Sequence, residues 1–121
     1  MKALLRILNP VHLVNAAWYS SKGFVYVLRS ERAFQQELIL LAVGVPLAIW
    51  LADTGIERVL LIGSILLVML VEVINSAIET VVDQISLEQS ELAVRAKDLG
   101  SLAVLIGLIN IGVVWALVLL I

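Results

Sequence analysis

From Val59 to Asp83 the chain reads Val-Leu-Leu-Ile-Gly-Ser-Ile-Leu-Leu-Val-Met-Leu-Val-Glu-Val-Ile-Asn-Ser-Ala-Ile-Glu-Thr-Val-Val-Asp. The uncharged part, Val59 to Val71, is shorter than the roughly 20 residues that cross a bilayer. Membrane length is reached only if Glu72, Asn75, Ser76 and Glu79 belong to the same helix, running on to Val82 and Asp83. At 100° per residue, Glu72, Asn75, Ser76, Glu79 and Asp83 then fall in one stripe about 100° wide. A charged carboxylate in lipid costs on the order of 2.5 to 3.5 kcal/mol by insertion scales, so the stripe must face protein, a watered cavity or a cationic interface. Polar contact between helices would explain Asn75 and Ser76, but it does not require two glutamates two helical turns apart.

Working outward, Leu38 to Ala52 and Leu99 to Ile121 are also apolar. The latter is long enough to span by itself; the former holds Pro46 and must borrow length from the Phe34 to Glu37 side. Hydrophobic residues make up 62% of the 121-residue chain. Soluble domains hold roughly 45 to 50%, which excludes a water-soluble monomer here. Asn9-Pro10 reads as an N-cap followed by proline at the first helical position. Behind it Val11, Val14, Trp18, Val25 and Leu28 recur at helical spacing, with Trp18, Tyr19 and Tyr26 suited to the headgroup level. That helix lies either in the interface or against the bundle. The expected fold is an all-α membrane protein: one domain over 1–121, with an N-terminal amphipathic interfacial helix in 1–30 and transmembrane helices over about 31–52, 57–83 and 91–121. In the third, Ala103 and Gly107 form a small-xxx-small pair and Asn110 is polar, which permits close helix packing.

The formal net charge is −2, and the eight Lys and Arg form no run, so nothing here would recognise nucleic acid. The chain has no cysteine, which removes disulfides, zinc-thiolate sites and thiol catalysis. Met1 to Asn9 resembles neither an export signal nor a lipidation motif, so these residues are expected to remain in the mature protein. Lys2, Arg6, Lys22, Arg29, Arg32, Arg95 and Lys97 flank the spans on one side and only Arg58 on the other. Basic residues resist translocation, so the N-terminus and the 83–98 connector are expected in the cytoplasm, with Asp53-Thr54-Gly55 and the C-terminus outside.

Two further polar centres lie on that cytoplasmic side. Arg95, Lys97 and Asp98 precede the third span; alone they read as solvated anchors. Beside the stripe they provide what ATP chemistry needs: carboxylates for Mg²⁺, a lysine for developing charge and a carboxylate to take a hydroxyl proton. At the entrance to the first span, Glu31-Arg32-Ala33-Phe34-Gln35-Gln36-Glu37 places Glu31 in a first turn that Ser30 could cap. Glu37 adjoins the apolar run and has no such explanation. No Walker A loop or protein-kinase signature is present, so any nucleotide site is of another kind.

Taken together, Val71 to Asp83, Arg95-Ala96-Lys97-Asp98-Leu99-Gly100-Ser101 and Glu31 to Glu37 resemble the small prokaryotic diacylglycerol kinases, and the likeness runs from Tyr19 onward. The resemblance implies a trimeric, three-span enzyme of the bacterial inner membrane whose sites are shared between subunits. It implies ATP-dependent phosphorylation of diacylglycerol to phosphatidic acid, with Glu72 as general base and Glu31 and Glu79 holding Mg²⁺. It further implies nucleotide contacts from His12, Tyr19, Glu31, Asn75, Glu79, Glu88, Gln89, Ser90, Lys97 and Asp98. The lipid would lie along Ala33, Phe34, Gln35, Gln36, Glu37, Trp50, Leu51, Ala52, Asp53, Arg58, Glu72, Ser101 and Trp115. Depth agrees with this division of labour, because a carboxylate far from water is the better proton acceptor while one near water meets Mg-ATP.

The chain departs from the family's diacylglycerol branch near its start, where His12, Asn15 and Ser21 stand in place of basic residues and a tryptophan. His12 is either a phosphate contact when protonated or a solvated interfacial side chain. The same chemistry on undecaprenol is the nearest alternative, but Asn75-Ser76-Ala77 and Arg95 to Ser101 resemble the diacylglycerol branch more closely. A non-catalytic subunit or ion-conducting oligomer lined by Glu72 and Glu79 is a third reading, and it leaves Glu31 and Lys97-Asp98 without a use.

Overall fold

The structure, a computed structural model, describes residues 1–85 and 90–121. Its elements are α1 (Lys2–Ile7), α2 (Pro10–Ser30), α3 (Arg32–Leu51), α4 (Gly55–Ile85) and α5 (Glu91–Leu120). The last three are long and apolar enough to cross a membrane. The N-terminal segment is two helices rather than one, because the chain breaks at Leu8-Asn9. Asn9 caps α2, its side chain accepting from the Val11 N–H at 3.0 Å, with Pro10 at the first helical position.

A single extended residue, Glu31, ends α2 and starts α3 (φ −109°, ψ 106°). The Ser30 cap expected from sequence is not formed, since Ser30 is the last residue of α2. The Glu31 side chain makes no capping bond either. It is therefore available to the site.

The α3–α4 turn is fixed from both sides. Glu57 Oε2 accepts from the Asp53 N–H at 2.7 Å and the Thr54 N–H at 3.3 Å, while Thr54 Oγ1 accepts from the Glu57 N–H at 3.2 Å. This is a capping box. Arg58 donates to the Ile49 and Ala52 carbonyls at 3.3 and 3.0 Å, closing the end of α3. α3 packs back along α4 from this turn. At 1.5 Å per residue α3 is about 30 Å long and α4 about 46 Å, so α4 from about Asn75 onward projects past the start of α3. The Ser76–Glu31 hydrogen bond marks the level where α3 begins. Glu72 consequently falls just inside the packed bundle, and Glu79 and Asp83 beyond it.

α4 is the central helix, with 44% of its most apolar window buried against 22% for α3 and 6% for α5. Phe34, Ile65, Val68 and Met69 form the core nearest the polar stripe, together with Val27 of α2. Ala48, Ala52 and Leu61 form a second layer toward the turn, closed by Val114 and Val118 of α5. α5 meets α4 along Gly100, Val104, Gly107, Ile111 and Val114, alternating by four and three residues like a coiled-coil seam. Of the expected small-residue pair, only Gly107 lies on this seam; Ala103 is exposed. Trp115 Nε1 ties the far end by donating to the Leu61 carbonyl at 3.1 Å.

α2 holds to the bundle by its C-terminal part alone, burying Val27 and facing Val73, Ser76, Ala77 and Thr80 with Gly23 and Tyr26. The apolar residues of its N-terminal part, including Val11, Leu13, Val14 and Trp18, are exposed. Lys22 Nζ lies over the rings of Trp18 and Tyr19, 5.1 and 5.6 Å from their centroids.

Candidate active site

The polar stripe of α4 is graded in depth. Glu72, Asn75 and Ser76 are buried, Glu79 is half-buried and Asp83 is exposed. Length causes the gradient, since each step along the stripe carries the helix further past α3.

Glu31, Glu72, Asn75 and Glu79 converge on one cavity of about 480 Å³, completed by Ala33 and Ser101 and floored by Val104, Leu105 and Leu108 of α5. Ser76 Oγ donates to Glu31 Oε1 at 2.9 Å, orienting a carboxylate 45 residues away in sequence. Asn75 Nδ2 donates to Glu79 Oε1 at 3.3 Å. Glu72 lies close enough to Glu31 and Glu79 to feel both charges, and none of the lining residues is basic. Like-charged groups so arranged call for a cation.

A neighbouring cavity of about 130 Å³ shares Ala33, Val104 and Leu108 with the first and adds Gln36, Glu37 and Leu40. Glu37 is buried and feels the charge of Glu72; its Oε2 has no hydrogen-bond partner among the described residues. The two cavities are neighbours with Ala33, Val104 and Leu108 in common, and both combine acidic side chains with an apolar α5 wall.

Other residues singled out in the sequence fall elsewhere. Lys97 Nζ pairs with Asp83 Oδ1 at 2.6 Å at the mouth of the site, and Asp98 is exposed beside it. Ser90 caps α5, its Oγ accepting from the Ala93 N–H at 3.1 Å. Glu88 and Gln89 lie outside the described residues. Phe34 belongs to the core and meets Phe24 edge to face, while Gln35 Nε2 donates to the Leu28 carbonyl at 2.8 Å. His12 and Tyr19 are exposed on α2, whose C-terminal part covers the Val73–Ser76–Ala77–Thr80 face of α4 beside the carboxylates. Trp50, Leu51, Ala52, Asp53 and Arg58 cluster at the far turn, and Arg58 lies about 21 Å along α4 from Glu72. Trp115 is a similar distance along α5 from Ser101.

Among the described residues, no three of His, Cys, Asp and Glu are grouped closely enough to cage a metal. Mg²⁺ does not need such a cage; it keeps several waters and is usually held by one or two carboxylates together with substrate phosphates. Glu31 and Glu79, oriented by Ser76 and Asn75 on the same cavity, fit that donor set.

The α5 residues Val104, Leu105 and Leu108 are absent from the sequence reading, because apolar residues in an apolar helix carry no local signal of lining a site. The Asp83–Lys97 pair is foreshadowed only by the two residues' shared level at the helix mouths.

Three membrane-length helices enclosing a carboxylate-lined cleft at one end define a membrane protein built for chemistry at the lipid–water boundary. The sequence matches the family described as "Prokaryotic diacylglycerol kinase" over residues 18–119. It is 49% identical over 107 residues to a diacylglycerol kinase of Escherichia coli (strain K12), covering 88% of each chain. It is 47% identical over 104 residues to one of Haemophilus influenzae, covering 86% of this chain and 88% of that one. For one of Pseudomonas aeruginosa the identity is 44% over 108 residues, covering 89% and 88%. The chain belongs to the prokaryotic diacylglycerol kinase family.

Proposed function

We propose that the chain is an ATP-dependent lipid kinase that converts diacylglycerol to phosphatidic acid. The observation that carries this reading is the meeting of Glu31, Glu72 and Glu79 in one cleft that runs from the water-facing end of α4 to an apolar floor on α5. A polar phosphate donor and an apolar acceptor can approach such a cleft from opposite ends.

Glu72, the deepest of the three, takes the proton of the lipid hydroxyl as its oxygen attacks the γ-phosphorus. The new O–P bond forms, the bond from the γ-phosphorus to the β–γ bridging oxygen breaks, and ADP departs. Glu31 and Glu79 would hold Mg²⁺, which when bound neutralises charge on the phosphate oxygens. Asn75 and Ser76 orient these two carboxylates. Lys97, already at the mouth, turns from Asp83 toward the nucleotide, where Ser90, Asp98, Glu88 and Gln89 are further contacts. Ala33, Gln36, Glu37 and Ser101 receive the lipid headgroup. Trp50 to Asp53, Arg58 and Trp115 are too far away for that: they lie at the opposite end of the bundle, where Arg58 closes α3 and Trp115 ties α5 to α4.

The protein is proposed to sit in the bacterial inner membrane with its site facing the cytoplasm. Residues 1–30 hold Lys2, Arg6, Lys22 and Arg29 and no acidic residue, which supports retention of that end. We also propose a homotrimer with shared sites. His12 and Tyr19 are exposed about 28 and 18 Å along α2 from Glu31, outside the part of α2 that meets its own α4, which supports a nucleotide contact from α2 of a neighbouring copy. The sparsely buried α5 leaves surface for that assembly.

The test is purified protein in mixed micelles with Mg-ATP labelled at the γ-phosphate, given diacylglycerol and undecaprenol in parallel. Labelled phosphatidic acid is expected from the first. Label in undecaprenyl phosphate alone would reassign the acceptor, and label in neither lipid would end the kinase reading.

A further inference from the structure

α5 approaches the polar stripe of α4 closely at Gly100. A Cβ on Gly100 would collide with Asn75 Oδ1 and stand 3.1 Å from Asn75 Cγ. Gly100 does not have positive φ, so its backbone does not require glycine. Glycine also weakens a helix interior relative to alanine, so its presence within α5 answers to space. Asn75 is 7% exposed. Its Nδ2 reaches Glu79 Oε1, and its Oδ1 has no hydrogen-bond partner among the described residues. The amide oxygen is wedged against α5 while the amide nitrogen steers a carboxylate of the site.

We propose that Gly100 is a positioning residue for the phosphoryl-transfer site: its missing side chain is the notch that admits the Asn75 carboxamide and turns Nδ2 toward Glu79. This rests on the reading of Glu79 as a metal ligand. A side chain at position 100 drives the carboxamide out of the notch, and Glu79 loses its orienting donor. Gly107 supplies the control. It too makes a close approach to α4, where a Cβ would stand 2.9 Å from Val68 Cγ2, but its neighbour is apolar.

The test compares Gly100→Ala, Asn75→Ala, the double variant and Gly107→Ala in two measurements. One is KM for Mg-ATP against kcat. The other, independent of turnover, is Mn²⁺ binding in the presence of a non-hydrolysable ATP analogue, followed by electron paramagnetic resonance. Gly100→Ala is expected to raise KM for Mg-ATP and weaken Mn²⁺ binding about tenfold, the lower end of what losing the hydrogen-bond partner of a metal ligand costs, with a smaller change in kcat. Asn75→Ala should do the same, and the double variant should be no worse than Asn75→Ala, because the colliding group is already gone. Gly107→Ala should lower thermal stability while leaving both readouts within about twofold of wild type. The proposal is overturned if Gly100→Ala keeps wild-type KM and Mn²⁺ affinity, if the two single effects multiply, or if Gly107→Ala moves both readouts equally. Should Gly100→Ala not fold, recovery of folding in the double variant supports the notch, and failure to recover overturns it. Inactive wild-type protein that binds no Mn²⁺ with nucleotide would instead bring down the kinase reading, and this proposal with it.

Discussion

In the proposed mechanism Glu72 is the base: it is buried on the cleft that Glu31 and Glu79, the carboxylates proposed to hold Mg²⁺, also line. Replacing it with glutamine removes the proton acceptor while preserving shape, so Glu72→Gln should lower kcat by about 10²- to 10⁴-fold and leave the helical circular dichroism spectrum unchanged. Ser76 acts one step removed. Ser76→Ala deletes the hydrogen bond to Glu31, a loss of about 1 kcal/mol; steady-state kinetics should show a several-fold rise in KM for Mg-ATP with kcat little changed. The stripe from Glu72 to Asp83 is readable in the sequence because helical periodicity is local. What Glu31 does is not, because its Ser76 partner comes from α4, and a Ser30 cap was the locally sensible alternative. Gly100 is invisible for the same reason: a glycine looks identical in sequence whether it faces lipid or a carboxamide.

Among the elements, the unequal lengths of α3 and α4 organise the site. Both leave the tight turn at Asp53-Thr54, so the excess of α4 has to emerge at the opposite end, carrying Glu79 and Asp83 toward water. The Thr54–Glu57 capping box sets this register. Glu57→Ala removes the acceptor for two backbone N–H groups and should cost about 1 to 2 kcal/mol, seen as a lower Tm in detergent. Glu57 is about 22 Å along α4 from Glu72, so kcat and KM of the folded variant should match wild type. Three membrane-length helices can be anticipated from hydropathy and length. The start of α2 is likewise legible in Asn9-Pro10, whereas the heptad seam of α5 depends on packing, and the exposed position of Ala103 shows how a small-residue pair in sequence can mark only one contact in space.

For the whole molecule, the position of α2 separates two kinds of defect. Glu31 and Glu72 line the cleft of one chain, whereas Tyr19 is exposed on α2 about 18 Å along that helix from Glu31. Mixed assemblies of Glu31→Gln and Glu72→Gln chains contain no intact cleft and should stay inactive. Assemblies of Glu72→Gln with an α2 variant defective in nucleotide contact, such as Tyr19→Ala, should regain activity, because an intact cleft then meets an intact α2. Phosphatidic acid formation measured after subunit exchange distinguishes the two cases. Equal recovery in both would place α2 and the cleft in different roles from those proposed. A shared site is hard to read in a single chain, since sequence alone does not say which copy a side chain serves.

The central claim is that the buried carboxylate of α4 takes the proton during lipid phosphorylation. It is tested most directly by the rate of phosphatidic acid formation from diacylglycerol and Mg-ATP, wild type beside Glu72→Gln, in the same micelles. Wild type should give steady product, and the variant a rate near background at any substrate concentration. Near-normal turnover by Glu72→Gln would contradict it.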